Sequence, residues 1–101
     1  EDEKINWALP AHDVKNLIHA LSPTPGAYTL LGDLRLKFYQ AEVVEGKGEA
    51  GRILEVSKKG LKIACGEGAI LLQEVQPQGK KLMSVAAFLN GTKLTNKDKL
   101  G

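Results

Sequence analysis

The side chains of this chain that can do chemistry are one cysteine, two histidines and many lysines. Cys65 follows an apolar stretch and precedes a glycine turn, so we expect a buried, inert thiol and not a nucleophile. His12 and His19 lie two helical turns apart, about 10 Å along a helix axis, which is too far to share a zinc ion. Since the chain also has no dense carboxylate cluster, the sequence predicts no catalytic residue and no metal site.

Residues 46–51 match the pattern G-x-G-x-x-G, which binds dinucleotides when it opens a helix. The residues that follow, from Arg52 to Val56, are typical of another strand. The pattern therefore lacks the helix N-terminus that holds a pyrophosphate, and we expect a hairpin loop here.

The lysines are distributed unevenly along the chain. Residues 1–57 carry 6 basic and 9 acidic side chains, whereas residues 58–101 carry 8 basic and 3 acidic, which gives net charges of −3 and +5. A basic edge carried by loops is typical of proteins that bind polyanions, although a solvated lysine-rich surface has the same composition. With only 5% aromatic residues, stacking on bases is disfavoured and phosphate contact by lysine is favoured.

Length and composition indicate a single small domain. The chain has 101 residues, of which 43% are apolar and 26% charged, as in ordinary globular domains. No apolar run approaches the roughly 20 residues that span a bilayer, and a lone cysteine suits a reducing compartment. We expect a cytoplasmic domain cut from a longer protein, with residues 1–4 as the end of a linker and no membrane partner.

The apolar spacing predicts one helix near the start. Val14, Leu17, Ile18 and Leu21 form one stripe at i, i+3, i+4 and i+7. Pro10 suits the first helical turn, and the prolines at 23 and 25 end the helix.

Short strands are predicted after this helix, because apolar residues alternate or cluster between glycine turns. Lys37 lies in an alternating strand, and the sequence leaves open which face it joins. A shift in the alternation predicts a β-bulge near Tyr39 and Gln40, and Ser84 is expected to cap a short last helix that ends at Leu89. The predicted strands cover residues 28–31, 34–38, 52–57, 61–65 and 69–75. About five short strands with flanking helices predict a small closed β-barrel.

Two blocks of residues resemble the C-terminal domain of methionyl-tRNA formyltransferases. The first block is Ile5, Asn6, Trp7, Pro10, Ala11, Leu17, Ile18, Ala20, Leu21, Pro23, Pro25, Gly26, Ala27, Tyr28 and Thr29. The second is Cys65, Gly66, Glu67, Gly68, Gln76, Pro77, Gly79, Lys80, Lys81, Met83, Ser84, Phe88, Leu89, Asn90 and Gly91. The blocks follow the order of the family, and the resemblance covers residues 5–101.

The resemblance implies a mainly β fold, namely a small OB-like Greek-key β-barrel with an N-terminal helix and a short C-terminal helix over residues 5–101. In that family an N-terminal catalytic domain, absent here, transfers the formyl group from 10-formyltetrahydrofolate to methionyl-tRNA. The resemblance therefore implies a fragment that is no enzyme on its own and holds no cofactor.

The implied function is to hold initiator Met-tRNA through lysine–phosphate contacts, with the catalytic domain of the same chain as the second partner and with the fragment a monomer. Lys80 and Lys81 are the first candidates, because they lie in the Gly-Lys-Lys segment that resembles the family. The further candidates are Arg52, Lys58, Lys59, Lys62 and Lys93. The alternative is a structural C-terminal barrel of a related formyltransferase that acts on a small, non-tRNA substrate.

Overall fold

The computed structural model describes residues 4–22 and 24–101, which form two four-stranded antiparallel sheets and two helices. In chain order the elements are α1 (Ala11–Ala20), β1 (Ala27–Leu31), β2 (Leu34–Phe38), β3 (Glu42–Val44), β4 (Ile53–Ser57), β5 (Gly60–Ala64), β6 (Ala69–Leu72), β7 (Glu74–Pro77), β8 (Met83–Ser84) and α2 (Val85–Leu89). The prediction of a mainly β domain with an N-terminal helix and a short C-terminal helix is confirmed.

The first sheet has the strand order β1-β2-β7-β8, and the second has the order β3-β6-β5-β4. Six of these strands bury apolar side chains in a common core, namely β1, β2, β4, β5, β6 and β7. Successive side chains along a strand point to opposite faces of the sheet. The largest fully buried side chains come from both sheets and both helices, and they include Ile18, Phe38, Ile70 and Val85. No helix within the described ranges is long and apolar enough to cross a membrane.

Helix α1 forms where the sequence predicts it. Val14 and Ile18 are fully buried, and Leu17 and Leu21 are half-buried on the same stripe. Pro10 occupies the N-cap position, where its missing N–H costs no hydrogen bond. The helix ends at Ala20, before the two prolines that were predicted to end it. One of these prolines, residue 23, lies outside the described residues.

The strand prediction differs from the structure where the chain passes between sheets. No β-bulge is needed at Tyr39 and Gln40, because β2 ends at Phe38 and the chain enters the second sheet as β3. The predicted strand over residues 69–75 is two strands, β6 and β7, which lie in different sheets on either side of Gln73. Val75 of β7 is buried in the same core as Ile70 and Leu72 of β6, so burial alone does not mark the break.

The G-x-G-x-x-G segment is a loop, as predicted, but it is not a hairpin. It joins β3 to β4, which are the two opposite edges of the second sheet. A Cβ added at Gly46 would lie 2.9 Å from the Cβ of Ala69, and one added at Gly48 would lie 2.8 Å from Leu54. Glycines therefore let this loop cross closely over the outer face of the second sheet.

The C-terminal segment connects the two sheets through backbone hydrogen bonds. Leu30 of β1 and Gly101 exchange two such bonds, of 3.1 and 2.9 Å. Leu100 donates to the Gly51 carbonyl at 2.8 Å, next to the start of β4, and its own side chain is buried. The segment thus closes the space between the first strand of one sheet and the last strand of the other.

Candidate nucleic-acid interface

The outer face of the first sheet carries polar and basic side chains in register. Tyr28 pairs with Lys37 across β1 and β2, and Lys37 pairs with Gln76 across β2 and β7. Paired residues project from the same face of a sheet, and Arg35 lies two positions before Lys37 on that face. Their neighbours Ala27, Leu36 and Val75 point the other way and are fully buried. We call Tyr28, Arg35, Lys37 and Gln76 the basic face.

Two contacts order the cations of the basic face. The guanidinium carbon of Arg35 lies 4.1 Å from the centre of the Tyr28 ring, a cation–π geometry. The Lys37 ammonium donates a hydrogen bond of 2.9 Å to the Pro25 carbonyl, which leaves its other N–H groups for another partner. The face therefore presents two positively charged groups that are already held in place.

The turn after β7 presents the two lysines that the sequence singles out. Lys80 and Lys81 are both exposed, and the turn is closed by a 3.0 Å hydrogen bond from Lys80 N–H to the Pro77 carbonyl. Gly79 has a φ of 79°, a conformation that favours glycine. The Gly-Lys-Lys order thus places both ammonium groups in solvent directly beyond the basic face.

Gln76 connects the turn to the sheet. Its amide donates a hydrogen bond of 3.1 Å to the Lys80 carbonyl, and its carbonyl oxygen accepts one from the Tyr39 hydroxyl. Because both ends of the amide are engaged, Gln76 fixes the position of the basic turn relative to β7. A groove of about 230 Å³ runs beside it, lined by Arg35, Lys37, Gln76, Pro77, Gln78 and Gly79.

The other predicted lysines lie on the second sheet or on the C-terminal segment. Lys58 and Lys59 form the exposed turn of the β4–β5 hairpin. Lys62 is half-buried on the outer face of β5, paired in register with Glu55 and close to the Gly46 loop. Lys93 is exposed beyond α2. The sheet pairing thus groups Lys80 and Lys81 with the basic face and places these four elsewhere.

Arg52 is already engaged by a carboxylate. Glu49 pairs with Arg52 at 2.8 Å and with Lys99 at 2.6 Å, and these are the only ion pairs within residues 4–22 and 24–101. The hydrogen bond from Lys99, followed by that from Arg52, lowers the pKa of Glu49. The carboxylate partly neutralises the Arg52 guanidinium, whereas Lys80 and Lys81 have no carboxylate partner within the described part of the chain.

The remaining reactive side chains are Cys65 and the two histidines, and no hydrogen bond joins the thiol to either histidine in the structure as described. Cys65 is buried, and this burial raises the pKa of its thiol to about 11. Both histidines are exposed, and His19 Nε2 accepts a hydrogen bond of 3.1 Å from Ala41 N–H. In the described parts of the chain, no group of three or more His, Cys, Asp or Glu side chains could hold a metal ion.

A second hollow, of about 700 Å³, has the opposite charge character. Its lining includes Glu42, Glu74 and His19, and it contains no lysine or arginine. Two carboxylates at its wall disfavour a phosphate, because like charges repel. This hollow is therefore unsuited to an anionic ligand.

Comparison with known proteins identifies the family. Residues 1–93 match the domain family described as formyl transferase, C-terminal domain. The chain belongs to this family. The resemblance drawn from the two residue blocks is confirmed.

Curated relatives of this formyl transferase C-terminal domain are longer proteins named methionyl-tRNA formyltransferase. The methionyl-tRNA formyltransferase of Streptococcus thermophilus is 47% identical over 91 residues, which cover 90% of this chain and 29% of that protein. The enzyme of the same name from Geotalea daltonii is 39% identical over 101 residues, covering 100% of this chain and 32% of that protein. The chain therefore spans about a third of the length of the relatives that it matches.

A solved structure has the same fold. HypX from Aquifex aeolicus, in complex with tetrahydrofolic acid, superposes with a TM-score of 0.72 at 20% identity. The match covers 86% of this chain and 16% of HypX. At this identity the likeness concerns the fold alone.

Sequence reasoning missed Arg35 and left the direction of Lys37 open. Each lies between apolar residues on β2, and strand alternation predicts only that both share one face. That this face also meets the Gly-Lys-Lys turn depends on the pairing of β2 with β7, which no local pattern encodes.

Proposed function

We propose that this formyl transferase C-terminal domain is the tRNA-binding part of a methionyl-tRNA formyltransferase, an enzyme that formylates initiator Met-tRNA for translation initiation. The names of relatives at 39–48% identity support the parent enzyme. The observation that carries the binding role is the exposed Lys80–Lys81 turn beside the basic face. Two exposed ammonium groups, which have no ion pair among residues 4–22 and 24–101, lie next to two ordered cations and form a surface that suits a polyanion.

The physical chemistry of duplex RNA favours this kind of contact. An A-form helix hides its bases in a deep groove and presents phosphates and 2′-hydroxyls instead. Lysine contacts with phosphates fix the position of the RNA and carry little sequence information. The domain would therefore place the tRNA for a partner domain and leave discrimination among tRNAs to other contacts.

The proposed contact residues follow the sequence prediction. Lys80 and Lys81 rank first, because they are exposed, unpaired within the described residues, and next to further cations. The other proposed contacts are Arg52, Lys58, Lys59, Lys62 and Lys93. The proposed domain covers residues 5–101, acts as a monomer in the cytoplasm, and is joined to a catalytic domain of the same chain.

Formyl transfer itself is assigned to that catalytic domain, which would bind 10-formyltetrahydrofolate. We predict that the 101-residue chain alone forms no formylmethionyl-tRNA from Met-tRNA and 10-formyltetrahydrofolate. The reason is that Cys65 is buried and protonated at neutral pH, while both histidines are exposed on separate turns of α1. Acid-gel electrophoresis of the tRNA product measures this, and turnover above the protein-free rate would refute it.

The binding role is tested by titrating the chain against labelled initiator Met-tRNA at several salt concentrations. We expect saturable binding, with the logarithm of affinity falling by about 0.7 to 0.9 per phosphate contact for each tenfold rise in salt. No saturable binding at low salt would refute the proposal for this domain and favour the structural-barrel alternative.

The role of the basic turn is tested by replacing both of its lysines. Lys80→Ala with Lys81→Ala should weaken binding and reduce the magnitude of the salt slope by up to the value expected for about two phosphate contacts. Lys47→Ala with Lys97→Ala removes the same charge from exposed positions outside the proposed contacts and serves as the matched control. Equal slopes for the two double variants would mean that only net charge matters.

A further inference from the structure

We propose that Arg35, held in place by Tyr28, binds a phosphate of the RNA backbone in the groove between β2 and the Gly79 turn. This inference rests on the proposed function and extends it to a residue type and a geometry that the lysine contacts lack. The ligand is a phosphodiester of duplex RNA, and the recognising group is a planar guanidinium.

The stacking of Arg35 leaves its hydrogen-bonding edge available. In the cation–π contact, the guanidinium lies over the Tyr28 ring, with its carbon 4.1 Å from the ring centre. A guanidinium carries all five of its N–H donors in its own plane, so an interaction over its π-face does not consume them. Arg35 is exposed, and within the described residues no carboxylate pairs with it.

Pre-orientation makes such a group a better phosphate ligand than a free lysine. An arginine binds two phosphate oxygens at once through parallel N–H groups, whereas an ammonium acts as a point charge. A side chain that is already stacked loses less rotamer freedom when it binds than a mobile one does. Tyr28 would thus reduce the entropic cost of the contact by Arg35.

The surroundings of Arg35 suit a single anionic group. Its groove has a volume of about 230 Å³, and none of its six lining residues is acidic. Lys37 lies on the same face and keeps N–H groups beyond the one that it donates to the Pro25 carbonyl. The exposed amide of Gln78 adds neutral donors at the rim. The two cations and the neutral amide favour a phosphate, because none of the described lining residues carries a carboxylate.

Gln76 acts as a positioning residue for the same groove. Its amide bonds to the Lys80 carbonyl and to the Tyr39 hydroxyl, and it thereby sets the distance between the basic turn and Arg35. Gln76 therefore holds the turn that carries Lys80 and Lys81 in a fixed position relative to the sheet that carries Arg35.

The test compares two replacements of Arg35 in the tRNA titration. Arg35→Lys keeps the charge and removes the planar fork, so we expect affinity to fall about 3- to 10-fold with an unchanged salt slope. Arg35→Ala should weaken binding further and reduce the slope by about 0.7 to 0.9, the value for one phosphate contact. Tyr28→Leu should weaken binding to a similar extent as Arg35→Lys, since it keeps every charge and removes only the stacking partner.

The control is Lys47→Ala, which removes one exposed charge from the loop over the second sheet, outside the groove and outside the proposed contacts. Circular dichroism melting of each variant checks that the fold persists. Arg35→Lys keeps the long side-chain stem and is the variant least able to disturb β2, so the test does not depend on the alanine variant.

The outcomes separate this inference from the proposed function. If wild-type affinity and slope persist in all Arg35 and Tyr28 variants while the Lys80 and Lys81 double variant binds weakly, the inference is overturned and the binding role stands. If Arg35→Ala weakens binding but Arg35→Lys does not, Arg35 contributes its charge alone. The inference that a pre-oriented guanidinium binds the phosphate is then overturned. If the wild-type chain binds no tRNA at low salt, both proposals fail.

Discussion

Cys65 is 3% exposed, and its surroundings determine the chemistry of its thiol more than its residue type does. Burial raises its pKa from 9.0 to about 11, because the thiolate would lose its hydration in the core. A residue that is reactive in a peptide is inert here, as the apolar residues before it predicted.

This shift predicts a loss of stability in alkali. Between pH 9 and 11 the unfolded chain ionises its thiol while the folded chain keeps it protonated, so the free energy of unfolding falls as pH rises. The loss reaches about 1.4 kcal/mol at pH 10 relative to pH 8. Urea unfolding of wild type and Cys65→Ala at both pH values isolates this effect from lysine and tyrosine titration. Parallel pH profiles for the two proteins would contradict it.

At the scale of elements, the turn between β5 and β6 shows why its glycines are needed. Gly66 donates a hydrogen bond of 2.9 Å to the Leu9 carbonyl, and the position of its absent Cβ is occupied by the Ala8 carbonyl oxygen. The segment before α1 therefore packs directly on the β5–β6 turn, where any side chain would force backbone atoms apart.

We predict that Gly66→Ala destabilises the fold by about 1–3 kcal/mol, as overpacking does in other cores. The clash is with backbone, which cannot rotate away as a flexible side chain does. Gly91→Ala is the matched control, because nothing lies within 4 Å of its Cβ position, and it should change stability by less than about 0.5 kcal/mol. Thermal melts of both variants give the comparison, and equal melting temperatures would contradict the prediction.

The predictability of the elements differed with their context. Helix α1 and strands β1 and β2 follow from their apolar spacing, and the predicted cap of α2 is confirmed by a 3.1 Å bond from Ala87 N–H to Ser84 Oγ. The break at Gln73 was not predicted, because β6 and β7 both bury apolar side chains in the same core although they lie in different sheets. Local patterns report burial, and they do not report which sheet a strand joins.

At the scale of the whole molecule, closure depends on the C-terminal segment. Leu100 is 1% exposed, and its neighbours bond to β1 and to the start of β4. A side chain buried at the junction of two sheets stabilises the arrangement of both. We therefore expect Leu100 to contribute strongly to the free energy of unfolding, although it is the next-to-last residue of the sequence.

We predict that Leu100→Ala lowers the free energy of unfolding by about 2–5 kcal/mol, the usual cost of a buried leucine. Leu82→Ala removes the same atoms from a side chain that is 46% exposed and should cost much less. Urea titration of both variants measures the difference. A cost at Leu100 no larger than at Leu82 would mean that the C-terminal segment does not help to hold the sheets together.

The sequence alone determined the family, the mainly β class, the two helices and the inert state of Cys65. Each depends on which residues neighbour each other along the chain, and such patterns fix local conformation and burial. The exposure of Lys80 and Lys81 also followed from their turn residues, Gly79 above all.

Only the tertiary structure decided that these lysines lie beside Arg35 and Lys37, and that Arg35 stacks on Tyr28. The reason is that β2 and the basic turn are about forty residues apart and meet through the register of β2 with β7. The same pairing placed Gln76 where its amide holds the turn. Cross-strand register joins distant segments, so the grouping of charges into one surface is a property of the fold and not of any stretch of sequence.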